Sequence, residues 1–227
     1  MSKTYPVSKS IKATANLDEK TFNKMYEDSI NNPESFWAKQ ALLQVDWIKQ
    51  PTEIISYDMS KGKVEWFNDG QLNASFNCVD RHLDKPDSVA IIWESDDPSL
   101  SKKISYQELH DEVCKFSNLL NPRGIKKGDR IVGVVSNNAE TLISFLAVNS
   151  IGAIWSSCSP DFGEQAILDR FNQIEPKILF YSSNYVYGGK KFEILKKIKN
   201  IENVLNTLEE TICIDYSEND KSFVDEK

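Results

Sequence analysis

Two rhythms of apolar and polar positions share the chain, and they change over near Pro86. Residues 1–16 read as a loose leader. From Asn16 to Gln50 apolar residues recur at helical spacing, with a break at Asn31-Asn32-Pro33. Asn32 is placed to cap the second helix and Pro33 suits its first position. Phe36, Trp37, Leu42, Leu43 and Trp47 give that helix an apolar face, and Pro51 ends it. Ile54 to Phe67 mixes extended pieces with a turn at Ser60-Lys61-Gly62, and Asn68-Asp69-Gly70 is a second turn. Leu72 to Leu83 is a short helical candidate.

Beyond Pro86 short apolar runs alternate with helical stretches. The pattern predicts strands at Val89–Trp93, Lys103–Ser105, Arg130–Val135, Ala153–Ser157, Lys177–Tyr181 and Thr211–Ile214. It predicts helices from Ser105, where Glu108 completes a capping-box pattern, from Asn138 to Ile151, over Glu164–Ile174 and over Phe192–Lys199. Strands alternating with helices of this length argue for βαβ units in a mostly parallel open sheet, an α/β fold carrying a helical and extended N-terminal extension. The divisions expected are 1–16, 17–87 and 88–227.

Composition narrows the picture. A length of 227 residues with 40% hydrophobic content suits one large domain or two small ones. A net charge of -7 with no separate Lys/Arg block gives nucleic acid no footing. The longest apolar runs are too short to span a bilayer, and no apolar signal core follows Met1, so no membrane role and a cytoplasmic location are expected. Cys78, Cys114, Cys158 and Cys213 show no paired spacing and read as reduced thiols.

Separated motifs then carry a resemblance. Phe36-Trp37-Ala38, Val45-Asp46-Trp47, Val64 to Gly70, Leu72-Asn73, Asn77-Cys78 and Asp80-Arg81-His82-Leu83 are similar to the N-terminal extension of acetyl-CoA and acetoacetyl-CoA synthetases. Ala90 to Glu94, Ile104 to Leu109 and Gly124 to Arg130 resemble the opening of the family's adenylation domain. Gly152 to Gly163, with Asp169-Arg170-Phe171 and Gln173 to Lys177, leans to the acetoacetyl branch, since the acetyl branch tends to carry a Gly-Gly-Phe-Ser-Pro-like turn there. The resemblance implies an acid–thiol ligase that uses ATP, Mg²⁺ and CoA on small-molecule substrates. It implies that the rest of the adenylation domain and a C-terminal domain are its partners. The family's phosphate loop, later nucleotide motifs and adenylation lysine have no counterpart in this sequence. The chain is therefore expected to be the N-terminal part of a longer enzyme, with no catalytic or metal-binding residue of its own and no activity alone.

Candidate binding residues follow. Tyr187-Gly188-Gly189-Lys190-Lys191 fails as a Walker loop, because Asn184 stands where Gly is needed and Lys191 where Ser/Thr is needed. By resemblance it falls where CoA synthetases place cations near the nucleotide end of CoA. Gly189, Lys190 and Lys191 are then CoA-binding candidates, and the alternative is a solvated turn leading into a Lys-rich helix. Ser156, Ser157, Ser159 and Asp161 either line the CoA entrance or serve ordinary turn chemistry. Trp155 either faces the acyl or CoA channel or packs in the core, whereas Trp37, Trp47, Trp66 and Trp93 read as packing anchors. Cys78 and His82, four apart, have a metal-like spacing without a second pair. Cys158 has no partner in sequence for a nucleophile's role. The rival from another class is a non-catalytic CoA- or nucleotide-binding module, or a partner subunit. A generic dinucleotide-binding protein is disfavoured, since no G-x-G-x-x-G follows a strand.

Overall fold

A computed structural model describes residues 5–95 and 98–214. The chain forms two compact units that divide between Leu72 and Asn73, upstream of the change of rhythm at Pro86.

In the first unit the expected loose leader contains a helix, α1 (Lys9–Thr14), whose start is held by Ser8 Oγ accepting from Ile11 N–H at 3.3 Å. Asp18 caps α2 (Glu19–Asn31) by accepting from Thr21 N–H at 2.7 Å. Helix α3 (Pro33–Gln44) starts with Pro33 in its first turn, as predicted; Asn32 sits at the cap, but its amide donates to Asp28 instead. Strands β1 (Ile55–Asp58) and β2 (Lys63–Trp66) pair antiparallel around a tight turn in which Gly62 takes φ 63°. The aromatic side chains pack on one another: Trp37 meets Trp66 edge-on at 6.0 Å, and Trp47 lies 5.7 Å from Phe67. Trp47 Nε1 donates to Ala41 O at 3.1 Å. Trp37 and Trp66 remain exposed, as do Leu42 and Leu43 on the predicted apolar face of α3, while Trp47 and Phe67 are half-buried; Ala41 is the one buried hydrophobic side chain among this unit's described residues.

The second unit begins with α4 (Ala74–Cys78), which ends when Val79 leaves helical backbone; a 3₁₀ turn then carries Asp80–His82. Cys78 and His82 therefore do not share a helix face. Strands β3 (Val89–Trp93) and β4 (Lys102–Ser105) form a separate antiparallel pair. The predicted capping box of Ser105 and Glu108 opens α5 (Tyr106–Leu120).

From there the chain alternates: β5 (Arg130–Val134), α6 (Ala139–Ser150), β6 (Ile154–Cys158), α7 (Glu164–Phe171) and β7 (Ile178–Ser182). A hairpin of β8 (Asn184–Tyr187) and β9 (Lys190–Glu193) precedes α8 (Leu195–Val204) and β10 (Glu210–Ile214). Strands β10, β7, β5 and β6 lie side by side in that order, all parallel, which is the open α/β sheet expected. Side chains alternate across each strand, so the sheet feeds two cores. Ile131, Ile178, Phe180 and Ile212 pack with α5 and α6; Val132, Val134, Leu179 and Tyr181 pack with α7 and α8. The strands read as continuous apolar runs because both faces are covered. Chain order reverses between β5 and β7, whose following loops leave toward opposite faces. Open α/β sheets bind ligands at that crevice, outside the strands' carboxyl ends.

The helix expected from Phe192 starts later, at Leu195. Gly188 and Gly189 take φ 57° and 71°, and this left-handed pair makes a two-residue hairpin turn that few other residues could form. Lys190 and Lys191 thus stand on a strand, not on a Lys-rich helix.

Candidate functional site at the carboxyl ends of the sheet

Three loops rise from the carboxyl ends of the strands. After β5, Asn138 Oδ1 accepts from Thr141 N–H at 2.8 Å and caps α6, while Thr141 Oγ1 donates to Ser136 O at 2.7 Å. After β7 the chain passes through Ser182 into the hairpin. Ser136 Oγ, Asn138 Nδ2 and Ser182 Oγ are buried without a hydrogen-bond partner among the described residues, and all three belong to the strand ends at the β5–β7 reversal. Buried polar groups are rarely left unpaired. Asn138 is the helix cap expected from the sequence, whereas Ser136 and Ser182 carry no sequence signal beyond being small polar residues directly after apolar runs.

After β6, Ser159–Gly163 makes the turn read from sequence, with Phe162 N–H donating to Ser159 O at 3.2 Å. Its anchor has no signal in the sequence: Lys197, on α8, donates from Nζ to the carbonyls of Pro160 and Phe162, each at 2.8 Å. The Arg170 guanidinium lies over the Phe162 ring at 4.8 Å. Asp161 and Ser157 are exposed. Glu164 occupies the first turn of α7 and accepts from the Asn200 amide at 3.1 Å, so this helix start already holds a negative charge next to Asp161. That arrangement disfavours an anion there and leaves Asp161 suited to accept from a neutral donor.

Trp155 is half-buried. Its ring stacks on Phe180 with centroids 6.1 Å apart, and a Cβ on Gly133 would lie 2.8 Å from it. Gly133 is therefore required by space, not by backbone conformation. Cys158 is buried, and burial pushes its thiol above the usual range against the opposing pull of Arg170. A thiol so shifted is a poor nucleophile at neutral pH.

The hairpin separates its two lysines. Cross-strand pairs Tyr185–Phe192 and Tyr187–Lys190 share one face; Val186–Lys191 and Asn184–Glu193 share the other. Tyr185 and Phe192 stack at 5.0 Å, giving an aromatic platform with the exposed Tyr187 and Lys190 beside it. Lys191 Nζ instead meets Glu193 Oε1 at 3.3 Å on the opposite face. An aromatic surface with a neighbouring ammonium can stack a planar base and pair with a phosphate.

Among the described residues no group of three or more His, Cys, Asp or Glu side chains could hold a metal ion. Nor is any described helix long and apolar enough to cross a membrane.

Fold and strand-end geometry define a doubly wound α/β domain with a polar carboxyl edge. A family model described as AMP-binding enzyme matches residues 79–227, and one described as acetyl-coenzyme A synthetase N-terminus matches 22–78. The chain belongs to the AMP-binding enzyme family. It is 41% identical over 211 residues to an acetyl-coenzyme A synthetase of Parvibaculum lavamentivorans, covering 88% of this chain and 32% of that protein. To the corresponding protein of Magnetococcus marinus it is 38% identical over 198 residues, covering 87% of this chain and 31% of the relative. Among solved structures it resembles the acetoacetyl-CoA synthetase from Streptomyces lividans, with TM-score 0.77 and 25% identity over 94% of this chain and 35% of that one. The chain thus spans about a third of the length of these proteins.

Proposed function

We propose that this chain contributes the N-terminal third of an ATP-dependent acid–CoA ligase, and that the β8–β9 hairpin meets the nucleotide end of CoA. The observation that carries the reading is the family match over residues 79–227, joined to relatives named acetyl-coenzyme A synthetase. In such a reaction a carboxylate oxygen displaces pyrophosphate from ATP to give an acyl-adenylate, and the CoA sulfur then displaces AMP. The residues for the first step are sought in the remaining two-thirds of the enzyme. The present residues shape the sheet edge and, through Lys190 and Gly189, one approach for CoA, with Asp161 and Ser157 as candidates near its pantetheine arm. Lys191, paired with Glu193, is the weaker cation.

Acetoacetate is the acid favoured by the Gly152–Gly163 segment, which lacks the acetyl branch's turn. Acetate is the second reading, favoured by the names of the curated relatives. Pyrophosphate exchange by the complete ligase with each acid separates them.

The CoA role is tested on the two half-reactions of the complete ligase. A charge-assisted contact to phosphate is worth about 1.5–3 kcal/mol. Lys190→Ala should therefore raise the Michaelis constant for CoA roughly tenfold or more and leave adenylate formation unchanged. Lys191→Ala should change it about twofold or less, because its ion pair is exposed. Equal effects, or none at Lys190, would refute the assignment.

A further inference from the structure

Strand β6 has β5 as its only neighbour among the described residues, so its other flank is an open sheet edge. Its backbone polarity can be read directly. Ile154 N–H donates to Asp129 O at 2.8 Å, and Cys158 O accepts from Val135 N–H at 3.2 Å. In a parallel ladder residues two apart turn their groups the same way. Ile154, Ser156 and Cys158 therefore bond with β5, and Trp155 and Ser157 aim their N–H and C=O groups outward.

Among the described residues nothing blunts this edge. Ile154 to Cys158 holds no charge, no Pro and no bulge, the devices that normally protect an edge strand. The flank is bare on both faces: Ile154 is 50% exposed on the α7–α8 side and Ser157 is exposed on the α5–α6 side. The opposite edge differs, since β10 opens with Glu210, preceded by Glu209, and Glu210 is ion-paired with Arg123 at 2.7 Å. The relatives carry about twice as much further chain as is present here.

We propose that β6 is completed by a strand from the remaining two-thirds of the ligase, hydrogen-bonded through the outward groups of Trp155 and Ser157. This rests on the reading of the chain as an N-terminal third. It makes the edge an assembly surface within one enzyme and not a docking site for a second copy.

The test joins this chain to the part of the Parvibaculum relative beyond the matched region, and also mixes the two pieces in trans. Amide hydrogen exchange is followed residue by residue. The Trp155 and Ser157 amides should exchange about tenfold or more slowly in the joined or mixed protein than in the 227-residue chain, while the already bonded Ser156 changes little. Ser157→Pro removes only an outward donor, so it should leave the fold of the 227-residue chain intact and abolish that protection. Ser156→Pro should disrupt the chain itself. If neither the joined nor the mixed protein protects Trp155 and Ser157, the assignment fails. It also fails if the 227-residue chain protects the same amides on its own in a concentration-dependent manner, because the occupant would then be a second copy. A protein active with CoA but unprotected at β6 overturns this inference and leaves the function standing. Protection without ligase activity does the reverse.

Discussion

The two units of this chain answer the same question, where to put apolar surface, in opposite ways. Residues 73–214 bury Phe116, Phe171, Phe180 and a layer of Ile, Leu and Val on both faces of a parallel sheet. Residues 5–72 have comparable aromatic content but leave Phe22, Tyr26, Ile30, Leu42 and Leu43 exposed, and Ala41 alone is buried among the hydrophobic side chains described there. Helix caps, turns and ring pairs are in place in both. What distinguishes them is layering: a sheet between helices has two faces to fill, while three helices and one hairpin in the first unit close around little. Local order and a core are separate achievements, and only the second unit has the core.

The contrast breaks most visibly at buried against exposed aromatics. Phe180 is fully buried between Phe116, at 5.0 Å, and Trp155. Phe180→Ala should cost about 3–5 kcal/mol in denaturant unfolding followed in the second unit. Tyr26→Ala, on an exposed helix face, should stay within about 0.5 kcal/mol. A loss at Tyr26 comparable to that at Phe180 would show that the first unit's apolar face is covered in solution.

A smaller effect sharpens the comparison at glycines. A Cβ on Gly133 would press the Trp155 ring against a sheet that cannot give way, and Gly133→Ala should cost about 1–3 kcal/mol. In the first unit a Cβ on Gly70 would come 2.6 Å from the Trp47 ring. Trp47 is only partly buried and can swing, so Gly70→Ala should lose less by the same unfolding measurement. The reverse order would mean that Trp47 is the better-held ring.

The smallest effect is electrostatic. Burial tends to raise the Asp129 carboxyl, but hydrogen bonds from Lys126 N–H and the Lys177 ammonium, with Lys177 at 3.1 Å, outweigh it and hold it below the ordinary carboxylate value. A folded-state value depressed in this way adds stability above the unfolded value, about 3.9, and loses it as pH falls through the folded one. In the first unit hydrogen bonds from Glu53 and Thr52 hold Asp69 well below its usual range, but at a site more open to solvent than that of Asp129. Unfolding midpoints measured from pH 7 to pH 3 should fall less steeply for Asp129→Asn than for the unsubstituted chain, and Asp69→Asn should flatten the curve less. Identical curves for Asp129→Asn and the parent would remove Asp129 from the account.

Much of the second unit was legible because its signals are local. Apolar runs of five residues between turns marked β5, β6 and β7, and the Ser105–Glu108 and Asn138 caps announced α5 and α6 within a single turn of helix. In the first unit the same signals found α2 and α3 yet implied an apolar face that is not buried, since periodicity records which residues share a side and not what meets that side. The hairpin departs from expectation for a related reason. Gly188-Gly189 signals a turn and the Lys-rich stretch after it favours helix, but cross-strand pairing with Asn184–Tyr187 prevails over that propensity.

By itself the sequence determined the alternation of strands and helices in the parallel sheet, the starts of α3, α5, α6 and α7, and membership of its family, all of which depend on residues close together in the chain or on ordered motifs. Tertiary structure alone decided that Lys197 would leave the solvated face assumed for it and hold the Pro160 and Phe162 carbonyls, that Lys190 and Lys191 would face opposite ways, and that Trp155 would lie on Phe180. Each of these joins groups brought together by strand order or register, and those follow from packing the whole sheet, which no short window of the chain contains.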